Sequence, residues 1–146
     1  MLKNENTGKI MLKKWMFFIA VFCVGILHAQ VEFTTSVSKD KLGLNERLRV
    51  EFKVNQDGDD FKPPNFEGFR VVGGPNQFVS NQYVNGKRSF LRSYSYTLAP
   101  LQKGKLEIGQ ASIFVDGKEY KTIPVAVTIS EAVDSQTDEN KHAVPS

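Results

Sequence analysis

Ile113-Phe114-Val115-Asp116-Gly117-Lys118-Glu119-Tyr120 is a β-hairpin spelled out in full. Asp-Gly accepts positive φ at both central positions of a type I′ turn, so two residues close the loop. The pairing then predicted is Ile113 with Tyr120 and Val115 with Lys118. Ile113, Val115 and Tyr120 fall on one face, where an apolar core would take them.

The same period of two runs through the rest of the chain. Val31, Phe33, Thr35 and Val37 alternate, then Leu48, Val50, Phe52 and Val54. Phe69 with Val71 makes a shorter run, and Phe90, Tyr94, Tyr96 and Leu98 share another face. Leu106 with Ile108, and Val125, Val127 and Ile129, complete the set. Nothing holds a helical period for three turns. The pattern predicts an all-β sandwich of about seven to nine antiparallel strands over residues 30–130.

Turn chemistry supplies the punctuation. Asn85-Gly86 predicts a second type I′ hairpin. Asp57-Gly58-Asp59-Asp60 reads as a solvated loop, Pro63-Pro64 as an extended connection or sheet edge, and Gly73-Gly74-Pro75 as a break. Ala99-Pro100 to Lys103-Gly104 reads as a turn, and Pro124 places the start of the last strand at an edge or bulge. Residues 131–146 are polar, carry a net charge of −3 and lose all apolar period, which predicts a disordered tail or linker.

Residues 1–29 have the form of a secretory signal peptide. Lys13-Lys14 precedes an apolar run from Trp15 to Leu27, and His28-Ala29-Gln30 offers a cleavage site after Ala29. The run is shorter than the roughly 20 residues a membrane span needs. Met11 is an alternative initiator after ten mostly polar residues. The lone cysteine, Cys23, follows bulky Phe22 inside the apolar run, which speaks against a lipid anchor.

Removing the leader changes the charge argument. Residues 1–29 carry four Lys and one Glu, and residues 30–146 carry equal numbers of basic and acidic side chains. The expected exported domain has no net basic field for a nucleic acid. It has no cysteine, so no disulfide, and no Trp.

Residues 30–130 contain neither His nor Cys. A Ser-His-Asp triad, a Cys-His pair and the usual zinc sites all need them. Glu32, Glu46, Glu51, Glu67, Glu107 and Glu119 read as outward strand or surface positions rather than a facing pair of catalytic carboxylates. Asp57, Asp59 and Asp60 lack the later Glu and the ligand count of an EF-hand. No glycine-rich phosphate cradle is present. The expectation is a non-enzymatic domain without cofactor or metal.

One site-like pattern follows from the Asn85-Gly86 turn. It pairs Tyr83 with Arg88, Asn81 with Phe90, Val79 with Arg92 and Gln77 with Tyr94. Alternation then sets Arg88 and Arg92 on the face of Phe90, Tyr94 and Tyr96, where an unpaired buried Arg would be costly. Either the hairpin tip projects beyond the facing sheet, or a bulge turns the arginines outward. A projecting tip would present Tyr83, Lys87, Arg88, Phe90 and Arg92 as an aromatic and basic interaction patch. The bland reading of the same residues is arginines lying over aromatic rings at the sandwich rim.

The ordered segments Phe61-Lys62-Pro63-Pro64, Phe66-Glu67-Gly68-Phe69-Arg70-Val71, Gly74-Pro75-Asn76-Gln77 and Tyr94-Ser95-Tyr96-Thr97-Leu98 carry a family resemblance. With Asn85-Gly86, Pro100, Gly104-Lys105-Leu106-Glu107-Ile108-Gly109, Ala111-Ser112-Ile113 and Val115-Asp116-Gly117-Lys118, they resemble the N-terminal region of BatD, the oxygen-tolerance (aerotolerance) family. The resemblance covers roughly residues 31–130. It implies tandem immunoglobulin-like β-domains on the periplasmic face of the cell envelope and a C-terminal membrane anchor. It implies protein partners of the von Willebrand factor A type and a MoxR-type ATPase, with no catalytic residues to carry over. On that plan the chain is a fragment or a truncated relative, anchored only if the protein continues past Ser146. A secreted or periplasmic glycan-binding module is the alternative reading. Its aromatic platform would have to come from Phe and Tyr alone.

Overall fold

The computed structural model describes Lys13, Lys14 and residues 29–134. The leader's apolar run and cleavage context up to His28, and residues 135–146 of the polar tail, lie outside the described residues. The second of the chain's two compact units, Val31–Ser146, holds the domain.

Every regular element from Val31 to Asp134 is a strand. In chain order they are β1 (Phe33–Val37), β2 (Lys41–Gly43), β3 (Leu48–Val54), β4 (Asp59–Lys62) and β5 (Phe69–Val84). Then come β6 (Lys87–Pro100), β7 (Gly104–Ile108), β8 (Ser112–Val115), β9 (Lys118–Lys121) and β10 (Val125–Ser130). One sheet runs β1-β3-β6-β5; two smaller ones run β2-β10-β7 and β4-β8-β9.

The two smaller sheets are halves of one layer. β7 and β8 form one long strand bent at Gly109–Ala111, and β9 and β10 form its partner, bent at Thr122–Pro124. Thr122 N–H donates to Ala111 C=O at 3.0 Å across the bend. Thr122 Oγ1 accepts from Ala111 N–H at 2.9 Å. Ten segments are thus seven strands, within the range the periodicity predicts. Counting β1 and β2 as one strand that changes sheets, the layers read first-second-fifth-fourth and third-sixth-seventh-first. That is the order of an immunoglobulin-like sandwich.

Alternation does the sorting that was expected. Leu48, Val50, Phe52 and Val54 are fully buried, as are Leu98, Ile108, Ile113 and Val127. The aromatic side chains interlock at one end of this core. Phe61 stacks flat on Tyr94 with centroids 3.8 Å apart, and Phe52 meets Phe61, Phe66 and Tyr96.

Both hairpins form with the predicted pairing. Ile113 faces Tyr120 and Val115 faces Lys118. Tyr83 faces Arg88, Asn81 faces Phe90, Val79 faces Arg92 and Gln77 faces Tyr94. All four turn residues have positive φ.

The punctuation is corrected in three places. Gly73-Gly74-Pro75 does not break the chain; it is a bulge inside β5, where the register shifts twice. An edge strand tolerates a proline because its outward groups need no ladder partner. Gly74, at φ +94°, lies so close to Ser95 that a Cβ would sit 2.4 Å from its carbonyl oxygen. The turn expected from Ala99-Pro100 to Lys103-Gly104 is present between β6 and β7 but tighter, at residues 101–103, with Ala99 and Pro100 ending β6. Asp59 and Asp60 belong to β4, and Gly58 before them is buried. A Cβ on Gly58 would meet Ile113 at 2.9 Å, so only a glycine lets this backbone pack so closely.

The chain remains tied to the domain past the expected start of the tail. Asn45 Nδ2 donates to Val133 C=O at 2.7 Å, and Val133 N–H donates to Asn45 Oδ1 at 2.9 Å. A side-chain amide here stands in for a strand's backbone amide.

Candidate functional site: the β5–β6 ribbon

β5 and β6 have 16 and 14 residues, far longer than their neighbours. β3 covers β6 only from Leu98 to Arg92. Residues 79–91 therefore leave the sheet as a two-stranded ribbon, closed by Asn85 and Gly86. Six of the exposed large apolar side chains lie in β5: Val71 and Val72 before the ribbon, Phe78 at its root, and Val79, Tyr83 and Val84 on it. β5 is also an edge of its sheet.

The arginine question is resolved by projection, and the two arginines separate. Arg88 stands exposed at the tip, its Nε donating to Asn81 Oδ1 at 3.1 Å. Arg92, at the ribbon's root, is half-buried. Its Nη1 donates to Gly58 C=O at 3.0 Å and pairs with Asp57 Oδ1 at 2.9 Å. Its guanidinium lies over the Phe90 ring at 5.7 Å. The rim reading therefore describes Arg92, and the exposed-patch reading describes Arg88.

The five-residue patch needs two corrections. Phe90 and Arg92 are partly buried, because Phe90 lies under Arg92 and Arg92 is held by the Asp57-Gly58 loop. Lys87 pairs with Val84 and so points to the opposite face from Tyr83 and Arg88. The ribbon thus has two different faces. One carries Val79, Asn81, Tyr83, Arg88 and Phe90. The other carries Phe78, Ser80, Gln82, Val84, Lys87 and Leu91. Periodicity finds both faces, and the five-residue patch draws on both of them.

The remaining candidates resolve as surface. Asp57, from the acidic loop, is engaged by Arg92. Glu67 and Glu107 line an open depression of about 380 Å³ with Pro63, Pro64, Asn65 and Gln110. Among the described residues no group of three or more His, Cys, Asp or Glu converges as a metal-binding set. Glu46 is held below the usual carboxylate range by a hydrogen bond from Lys39 and another from the Gly43 amide. Tyr96 is raised by burial and by neighbouring Tyr94. Neither lies on the ribbon. Half of the aromatic rings among the described residues interlock in the core, and the two most exposed, Phe78 and Tyr83, point to opposite faces of β5.

A seven-strand sandwich, antiparallel except where β2 joins β10, with one overlong edge hairpin defines the class: an immunoglobulin-like β-domain. The family model for the BatD DUF11-like domain matches residues 35–129, most of the sandwich. The chain belongs to the BatD family. No curated protein and no solved structure matches it significantly.

Proposed function

We propose that this domain is a non-enzymatic interaction module of a BatD-type protein complex in the cell envelope, exported to the periplasmic face. The observation that carries the reading is the β5–β6 ribbon. It is a two-faced projection bearing exposed aromatic, β-branched and arginine side chains on a domain of this family. Large apolar side chains clustered on one projection mark a contact surface better than the same residues scattered singly. Tyr and Arg are favoured anchors in such surfaces. The lack of His and Cys in residues 30–130 supports binding over catalysis.

The partners we propose are von Willebrand factor A-type membrane proteins working with a MoxR-type ATPase. Without a thiol or a metal-ligand cluster on the domain, its part in oxygen tolerance is indirect, through assembly of that complex.

The test is capture of those partner proteins from solubilised envelopes of the source cell. Tyr83→Ala with Arg88→Ala is expected to cut capture at least tenfold. Arg92 is left intact because it supports the fold. Undiminished capture by a folded double variant would remove the ribbon from the contact surface. Recovery of a chain beginning at Gln30 from the periplasmic fraction is the matching test of export.

A further inference from the structure

Exposed sheet edges are usually guarded by charge, proline or bulges. β5 guards only half of its edge. The bulge and Pro75 protect residues 71–76. From Asn76 to Val84 the strand reads Asn-Gln-Phe-Val-Ser-Asn-Gln-Tyr-Val, without a charge or a proline. Charge is missing all the way from Val71 to Val84.

The hairpin determines which backbone groups face outward. Val84 and Lys87 flank a two-residue turn and form a hydrogen-bonded pair. Hydrogen-bonded and non-bonded pairs alternate from there. Gln77, Val79, Asn81 and Tyr83 therefore aim their N–H and C=O away from β6, toward the free edge.

We infer that this edge takes a second copy of the chain, with two β5 strands antiparallel and a two-fold axis at Asn81. The inference rests on reading the ribbon as the interaction surface, and it names the occupant of the ribbon's edge. In this register Asn81 faces Asn81 of the second copy, and Val79 faces its Tyr83. Both pairs consist of outward-facing residues, so both exchange backbone hydrogen bonds. On the other face Phe78 meets Val84 of the second copy.

Each exposed apolar side chain of the segment thus gains an apolar partner. Both pairings are of the aromatic with β-branched kind that stabilises sheets. Other registers lose this match. Centring on Ser80 sets Phe78 against Gln82 and Val84 against Asn76. Centring on Gln82 sets Phe78 against Gly86 and Val84 against Ser80. The absence of charge means that two identical edges meet without repulsion. The Asn81 carboxamide oxygen accepts from Arg88 with one lone pair and keeps a second, to which the amide nitrogen of the other copy's Asn81 can donate.

The experiment is sedimentation of the full chain over a range of concentrations, with variants at the axis. The chain is expected to sediment with the mass of two copies. Asn81→Lys places like charges directly opposite each other and is expected to halve that mass with an unchanged circular dichroism spectrum. Mixing it with Asn81→Asp is expected to restore the two-chain mass.

Oxidative cross-linking is the second readout. Cα atoms of a hydrogen-bonded pair lie about 5.5 Å apart, within disulfide reach. Asn81→Cys should cross-link. Ser80→Cys, whose counterpart is a diagonal neighbour about 7–8 Å away, should not. The unsubstituted chain controls for Cys23.

A monomeric chain in which Asn81→Cys cross-links no better than Ser80→Cys overturns the inference. So does a dimer indifferent to Asn81→Lys. In either case, capture that still depends on Tyr83 and Arg88 would show that the ribbon is a contact surface with a different occupant.

Discussion

Arg88 and Arg92 lie four residues apart on one face of one strand, and their surroundings give them different roles. Arg92 joins β6 to the Asp57-Gly58 loop and covers Phe90. Arg92→Ala is expected to cost about 1–3 kcal/mol by urea denaturation, because it strands the Gly58 carbonyl and uncovers the ring. Arg88→Ala should change stability by no more than about 0.5 kcal/mol, as for other exposed positions. Glu46 gives the residue scale its pH dependence. Its folded pKa is depressed by hydrogen bonds from Lys39 and Gly43. Its contribution is therefore present above the ordinary carboxylate range and is lost as pH falls through the lowered value. Glu46→Gln should flatten the acid side of the stability profile, measured by thermal unfolding from neutral pH downward. The parity of both arginines was legible in the sequence, because a two-residue turn fixes register. Their separation was not. It depends on Gly58 being buried, and nothing near Asp57-Gly58-Asp59-Asp60 announces that a solvated-looking loop will pack under Ile113.

Elements were legible where turn chemistry and apolar period agreed. Asn85-Gly86 and Asp116-Gly117 sit between alternating runs, and both hairpins have the expected pairing. Of the bends at Gly109–Ala111 and Thr122–Pro124, only the second left a trace, in Pro124. At both bends the buried parity switches, from Leu106 and Ile108 to Ile113 and Val115 on one strand and from Thr122 to Val127 and Ile129 on the other, so each bent strand reads as two short runs. Thr122 holds that corner and is almost fully buried. Its hydroxyl takes the Ala111 amide that the broken ladder would leave unpaired. Thr122→Val keeps the shape and removes the acceptor, so it is expected to cost about 1–3 kcal/mol in a chemical denaturation curve. The bulge of β5 was likewise hidden. Gly73-Gly74-Pro75 reads as a stop, and only the pairing of Phe69–Val71 with Leu98–Pro100 shows that the strand continues past it.

At the scale of the whole molecule, the layer pattern was legible from alternation, while the assignment of strands to layers was not. Short β2 and β4 carry too few apolar residues to register as strands. Yet β2 moves the first strand across to the second sheet, and β4 extends that sheet beside β8. The crossing has a mechanical consequence. β2 runs parallel to β10, with Lys41, Leu42 and Gly43 beside Thr128, Ile129 and Ser130. Flanking bonds join Thr128 N–H to Asp40 C=O and Leu44 N–H to Ser130 C=O. Tension applied between Val31 and Val133 would pull these two strands in opposite directions along their length. The bonds would bear load together, in shear, rather than opening one after another. The Asn45 clamp on Val133 lies in the same line of force. Single-molecule pulling from the two ends should therefore show one sharp rupture. Asn45→Ala should lower the onset of extension at the C-terminal end while leaving that main event in place. A domain wired in this way can pass tension along its chain without surrendering its fold.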